Sequence, residues 1–86
     1  MNRSPLSFLF HLLDELNLGQ NQFVIIPAEV GQLISLERLL LNDNALRTIP
    51  PDLGHLQNLI GLSLRNNQLT ALPATLGQLT NLKALN

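Results

Sequence analysis

LERLLLNDNALRTIPPDLGHLQN, residues 36–58, runs directly into LIGLSLRNNQLTALPATLGQLTN, residues 59–81. The two stretches are each 23 residues long and share ten identical positions. Working outward, the same spacing holds along the chain. Leu13, Leu36, Leu59 and Leu82 are in step, as are Leu16, Leu39, Leu62 and Leu85. Leu18, Leu41 and Leu64 follow, then Asn21, Asn44 and Asn67. The later part of each unit repeats as well: Pro27, Pro50, Pro73; Gly31, Gly54, Gly77; Leu33, Leu56, Leu79. A fixed period of this length marks stacked supersecondary units rather than a single closed core.

The unit reads L-x-x-L-x-L-x-x-N-x-φ-x-x-φ-P-x-x-φ-G-x-L-x-x, with φ apolar. Its first part alternates, as in Leu16-Asn17-Leu18, Leu39-Leu40-Leu41 and Leu62-Ser63-Leu64. Period two puts the flanking leucines on one face of a strand and the middle residue on the other. The spacing predicts strands at 16–18, 39–41, 62–64 and 83–85. One unit cannot bury its leucine face alone, so successive strands must lie side by side over a shared core. Asn21, Asn44 and Asn67 stand where the chain leaves the strand and its backbone groups lose ladder partners. A neutral amide carries both donors and an acceptor, so these three are expected to form an internal structural ladder. Proline fixes φ and opens a short helical or 3₁₀ turn on the outer side. Glycine just after it serves either close packing or a positive φ. Phe23, Leu46 and Leu69, with Ile26, Ile49 and Leu72, are expected to fill the core.

This unit resembles the leucine-rich repeat family over residues 13–86. Its Leu-Pro-x-x-Leu-Gly-x-Leu ending is similar to the intracellular Ras-group class and to repeats of plant disease-resistance proteins. The resemblance implies an α/β solenoid: a right-handed superhelix with a short parallel sheet on the concave face and 3₁₀ or short helical turns, or loops, on the convex side. It also implies that the exposed strand residues carry contacts to a protein partner. The units are 13–35, 36–58 and 59–81, with a partial fourth at 82–86.

The two ends break the frame. Projected backwards, the period puts Ser7 at an apolar position and Phe8 at the glycine position. Residues 1–12 instead suit a short helical cap, with Ser4 as N-cap and Pro5 in the first turn. Leu6–Leu13 is too short for a membrane span, and no small-x-small cleavage site precedes Asp14-Glu15. At the other end the frame stops at Leu82-Lys83-Ala84-Leu85-Asn86. That is expected of a piece of a longer array, or of uncapped ends that self-associate.

The strand positions facing away from the core are Glu15, Asn17, Gly19 and Gln20; Arg38, Leu40, Asn42 and Asp43; Gly61, Ser63, Arg65 and Asn66; then Ala84 and Asn86. Among them Glu15, Asn17, Arg38, Leu40, Asn42, Ser63 and Arg65 are the candidate partner-binding residues. Leu40 is the large apolar residue at the centre, and Arg65 is the strongest anchor, because arginine is enriched at interface hot spots. Four five-residue strands offer roughly 15 by 16 Å, about 250 Å² in projection. A standard interface buries about 800 Å² per partner, so this face alone predicts weak binding or work within a longer array.

Other chemistry is thin. Five Lys+Arg against six Asp+Glu exclude a basic nucleic-acid footprint. With no cysteine, thiolate metal sites, disulfides and cysteine nucleophiles are impossible, and a reducing, cytoplasmic setting is favoured. His11 and His55 are isolated, and Asp14 and Glu15 point to different sides of a strand. No phosphate loop or nucleophile motif is present. The expectation is a non-catalytic interaction module of a scaffold or signalling protein, with no cofactor, no metal, no membrane and a protein partner of unknown identity. The alternatives are the recognition arm of a larger enzyme, such as a receptor-like or repeat-bearing kinase, and a spacer without a partner.

Overall fold

The computed structural model describes residues 12–86. Four short strands form one parallel sheet in chain order: β1 (Glu15–Asn17), β2 (Arg38–Leu40), β3 (Gly61–Ser63) and β4 (Ala84–Leu85). Their register equals the sequence period. Glu15 lies opposite Arg38, Arg38 opposite Gly61 and Gly61 opposite Ala84. Leu16, Leu39, Leu62 and Leu85 form the neighbouring row. The strands start one residue earlier than the alternation predicts at the first three positions. Pairing still reaches the predicted ends, because Leu18 N donates to Leu40 O (2.8 Å), Leu41 N to Ser63 O (2.9 Å) and Leu64 N to Asn86 O (2.8 Å). At the strand entries one carbonyl accepts two donors: Asp14 O from Glu37 N and Arg38 N, Glu37 O from Ile60 N and Gly61 N, and Ile60 O from Lys83 N and Ala84 N.

Three 3₁₀ turns alternate with the strands: η1 (Ala28–Gln32), η2 (Pro51–His55) and η3 (Ala74–Gln78). Pro27, Pro50 and Pro73 cap them with φ of −66°, −65° and −66°. Each proline carbonyl accepts the first turn bond, from Val30, Leu53 and Leu76 respectively, all at 3.1 Å. The N–H that proline lacks has no partner to miss at that position.

The structure decides what the repeated glycine is for. No glycine among the described residues has a positive φ. A Cβ on Gly31 would fall 2.4 Å from Asp52 O, and one on Gly54 would fall 2.6 Å from Thr75 O. Close approach of consecutive turns therefore demands glycine. Left-handed backbone occurs instead at Gln20, Asp43 and Asn66, with φ of 60°, 61° and 58°. The sequence reading treated these three as strand positions. They are the turn residues that redirect the chain just before each ladder asparagine, and Asn and Asp tolerate that conformation better than most.

The core is deepest in the middle. Leu36, Leu39, Leu41, Leu46, Leu53, Leu56 and Leu59 are completely buried. Each fully buried leucine contributes about 1.5–3 kcal/mol relative to exposure. The expected core assignment is corrected at two places: Phe23 is 39% exposed and Leu72 is 46% exposed. Both belong to outer coils, where only one side has a described neighbour to pack against. Val24 and Ile25, 55% and 69% exposed, form a small apolar spot on the first coil. The helical cap expected over 1–12 lies outside the described residues, apart from Leu12, which is exposed.

Candidate functional site

The inward leucines leave two rows of side chains on the other side of the sheet. One row is Glu15, Arg38, Gly61 and Ala84, and the next holds Asn17, Leu40 and Ser63, with Asn86 following. Alternation along each strand puts both rows on the same face. In the first row Arg38 Nε donates to Glu15 Oε1 at 2.8 Å. Both side chains are about half exposed, so solvent screens the pair and it adds little to stability. The hydrogen bond and the charge of Glu15 hold the Arg38 guanidinium above its ordinary value.

Beside that pair the face opens into a shallow recess of about 200 Å³. Leu40 and Ala84 give it apolar walls, Arg38, Ser63 and Asn86 a polar rim, and Gly61, beside the inward-turned Leu62, leaves its centre empty. Of the seven candidate binding residues, the structure thus gathers Arg38, Leu40 and Ser63, with Glu15 attached through Arg38. Asn17 is turned to local work, its Oδ1 accepting from Gly19 N at 2.9 Å. Asn42 donates to Asp43 Oδ2 at 2.8 Å, and Asn66 donates to Asp43 Oδ1 at 2.7 Å. These two bonds, Asn66 first and then Asn42, hold the Asp43 carboxyl below the usual range, with Arg65 adding a smaller pull. The Arg65 side chain is exposed and makes no hydrogen bond or ion pair among the described residues.

Gly61, Ala84 and Asn86 line the recess; the sequence places them among the outward strand positions but not among the candidate binding residues. Their signal was the register: a row that runs from Arg38 to glycine to alanine must leave a hollow. A second cavity, of about 260 Å³, lies where the chain enters the strands, between Glu37, Asn58, Ile60, Asn81 and Lys83.

The structural ladder works through backbone, not amide to amide. Asn44 Nδ2 donates to Leu18 O (3.0 Å), Leu41 O (3.1 Å) and Asn42 O (3.3 Å), while its Oδ1 accepts from Phe23 N (3.1 Å). Asn67 repeats this with Leu41 O, Leu64 O, Arg65 O and Leu46 N. Each amide therefore ties its own turn to the preceding coil. Among the described residues Asn21 reaches Leu18 O and Gly19 O within its own turn, and it is exposed. A second set of ties went unread in the sequence. Ser35 Oγ donates to Leu13 O (2.6 Å), Asn58 Nδ2 to Ile34 O (3.1 Å) and Asn81 Nδ2 to Gln57 O (2.9 Å). The identity of Asn58 and Asn81, one period apart, was the available clue.

Among the described residues no group of His, Asp or Glu is placed to hold a metal ion, and no helix is long and apolar enough to cross a membrane. His55 is exposed on η2.

Comparison with known proteins follows this geometry. The family profile described as "Leucine rich repeat" matches residues 34–86. A solved leucine-rich repeat protein of Leptospira interrogans is similar at 43% identity and a TM-score of 0.87. The match covers 88% of this chain and 19% of that one. The solved leucine-rich repeat domain of the type III effector XopL is similar at 30% identity and a TM-score of 0.80, covering 95% of this chain and 30% of that one. The chain thus spans less than a third of the length of either solved protein. No curated protein matches.

Proposed function

The chain belongs to the leucine-rich repeat family, and from that premise we propose that it is a non-catalytic protein-interaction module whose concave strand face carries the partner contacts. The supporting observation is a division of labour between the repeat's residues. Leucine, asparagine, proline and glycine recur at fixed places and are consumed by core, ladder and turn packing. Across the three full units the outward strand residues do not recur. Leu40, Ser63 and Arg65 differ in chemistry and stay at least partly exposed, and among the described residues their side chains make no hydrogen bond to the framework. A surface that varies on a fixed scaffold is suited to recognition.

The working face is small against the roughly 800 Å² per partner of a standard interface. Weak binding follows, or strength gained by acting with further repeats of a longer chain. The similar solved proteins are several times longer, which fits the second route. The role proposed is recognition within a cytoplasmic scaffold or signalling protein.

The test is a titration of a captured partner against two triple variants. Changing Arg38, Leu40 and Arg65 together to Ala is expected to abolish binding. Changing Arg47, Glu29 and Gln57 to Ala, away from the strands, is expected to leave it intact. The reverse pattern overturns the concave-face reading.

A further inference from the structure

The third coil carries the surface that, twice inside the chain, receives a following coil. Gly31 and Gly54 are glycine because the following turn brings Asp52 O and Thr75 O to 2.4 and 2.6 Å of a would-be Cβ. Gly77 stands at the same place with nothing within 4 Å. The same surface makes two hydrogen bonds per step. Phe23 N donates to Asn44 Oδ1 (3.1 Å) and Phe23 O accepts from Ala45 N (2.9 Å). Leu46 does the same with Asn67 Oδ1 (3.0 Å) and Gln68 N (2.9 Å). Leu69, next in that row, makes neither bond among the described residues.

The first coil carries the other half of the joint. Asn21 and Gln22 hold the places of Asn44 and Ala45, and of Asn67 and Gln68. Among the described residues Asn21 Oδ1 and Gln22 N have no partner. Exposed apolar side chains follow the same division. Phe23 lies in the first unit, Leu72 in the third, and none of the exposed large apolar residues lies in the middle unit. Charge does not oppose contact, because residues 66–82 contain no Asp, Glu, Lys or Arg. Depletion of charge is a mark of interface cores.

The period fixes how the halves meet. Set three periods further on, Asn21 of a second copy stands to Leu69 N as Asn44 stands to Phe23 N. Gln22 N then stands to Leu69 O as Ala45 N stands to Phe23 O, and the Glu29 backbone takes the place against Gly77 that Asp52 has against Gly31. The same step lays Leu13, Leu16 and Asn17 over Leu82, Leu85 and Asn86, the same three residue types. β4 is two exposed residues long, so β1 of the second copy replaces it on β3 nearly like for like. The coil contact is then a net gain, since the stability of a stack is a sum over neighbouring interfaces.

We propose that this chain associates head to tail with a second copy, the first coil of one seating on the third coil of the other with β1 in the place of β4. The two faces differ, so the contact is heterologous and propagates beyond a dimer.

The test is sedimentation of the 86-residue chain from micromolar to millimolar concentration, beside two variants that each spoil one face. Asn21→Ala removes the acceptor from the head, and Gly77→Ala puts a Cβ into the tail. Both sites are open in the monomer, so circular dichroism at low concentration is expected to be unchanged. The wild type is expected to form species larger than dimers as concentration rises. Each variant alone is expected to associate at least tenfold more weakly. An equimolar mixture joins the sound tail of one variant to the sound head of the other, and is expected to recover association that stops at the dimer. Amide shifts of labelled wild type are expected to move at Leu69 and Gly77 and to lose their strand positions at Ala84 and Leu85 on association. A monomer at every concentration, association unchanged in either variant, a mixture no tighter than its parts, or associated chains that keep Ala84 and Leu85 in strand overturns the proposal.

Discussion

The middle coil and the outer coils are built from one pattern, yet they do not share one environment. Leu46, Leu53 and Leu56 of the middle coil are fully buried. Of their six counterparts, Phe23 is 39% exposed, Leu33, Leu69 and Leu76 are half-buried, and only Val30 and Leu79 stay buried. Ile49 is 4% exposed, whereas Leu72, one period later, is 46% exposed. Gly54 lies against Thr75 of the next turn, whereas Gly77 has no described atom within 4 Å of its would-be Cβ. Among the described residues the Asn44 side chain makes four hydrogen bonds and that of Asn21 two. Sequence position within the unit sets what a residue offers. A neighbouring coil on each side decides whether the offer becomes stability, as expected for a quasi-one-dimensional stack.

The comparison can be broken most forcefully in the core. Leu53→Ala is expected to cost about 2–5 kcal/mol in urea denaturation, because the void left between two coils cannot collapse fully. Leu72→Ala, half in solvent, is expected to cost about 1 kcal/mol or less. Equal losses would remove the distinction between middle and edge.

Gly54→Ala and Gly77→Ala sharpen it through a difference in sign. The first pushes a methyl into the Thr75 backbone and is expected to destabilise by about 1–3 kcal/mol. The second meets open space without a positive φ and is expected to be neutral or to stabilise by up to about 1 kcal/mol, by restricting the unfolded chain. Melting temperatures of the two variants decide it.

Asn44→Ala leaves Phe23 N without its acceptor and takes one donor from each of Leu18 O, Leu41 O and Asn42 O, at an expected cost of about 1–3 kcal/mol. Asn21→Ala removes two exposed bonds and is expected to cost less than about 1 kcal/mol. Chemical denaturation of both measures the gap.

The smallest expected effect is electrostatic. Asp43 titrates below its unfolded value of 3.8 because Asn66 and Asn42 donate to its carboxylate. A lowered folded value means that the carboxylate adds stability above the unfolded value. That contribution is lost as the pH falls below 3.8 through the folded value. Thermal melts in this acid range are expected to show a shallow fall in stability that Asp43→Asn reduces.

The sequence carried the period, the parallel register and the turn-opening prolines, because each depends only on a residue's place in the unit; of the expected ladder, Asn44 and Asn67 tie to the preceding coil, while Asn21 bonds within its own turn among the described residues. Three things were not legible. The left-handed turn at Gln20, Asp43 and Asn66 hid because Gln stands at one of the three places, masking an otherwise Asn/Asp position. The exposure of Phe23 and Leu72 depends on which coils lie beside them, which no single unit encodes. The recess depended on setting Arg38, Gly61 and Ala84 side by side and asking what the smaller two leave vacant. Of the seven candidate binding residues, Arg38, Leu40 and Ser63 meet there, while Asn17 and Asn42 bond locally.

Backbone amide hydrogen exchange, resolved by residue, tests most directly whether each coil is held by its neighbours. The account predicts slowest exchange at Leu41, Ala45 and Leu46, whose N–H groups bond to Ser63 O, Phe23 O and Asn67 Oδ1 of the flanking coils, with protection falling toward both outer coils. Uniform protection along residues 12–86, or a middle coil that exchanges faster than the 3₁₀ turn at 74–78, would contradict it.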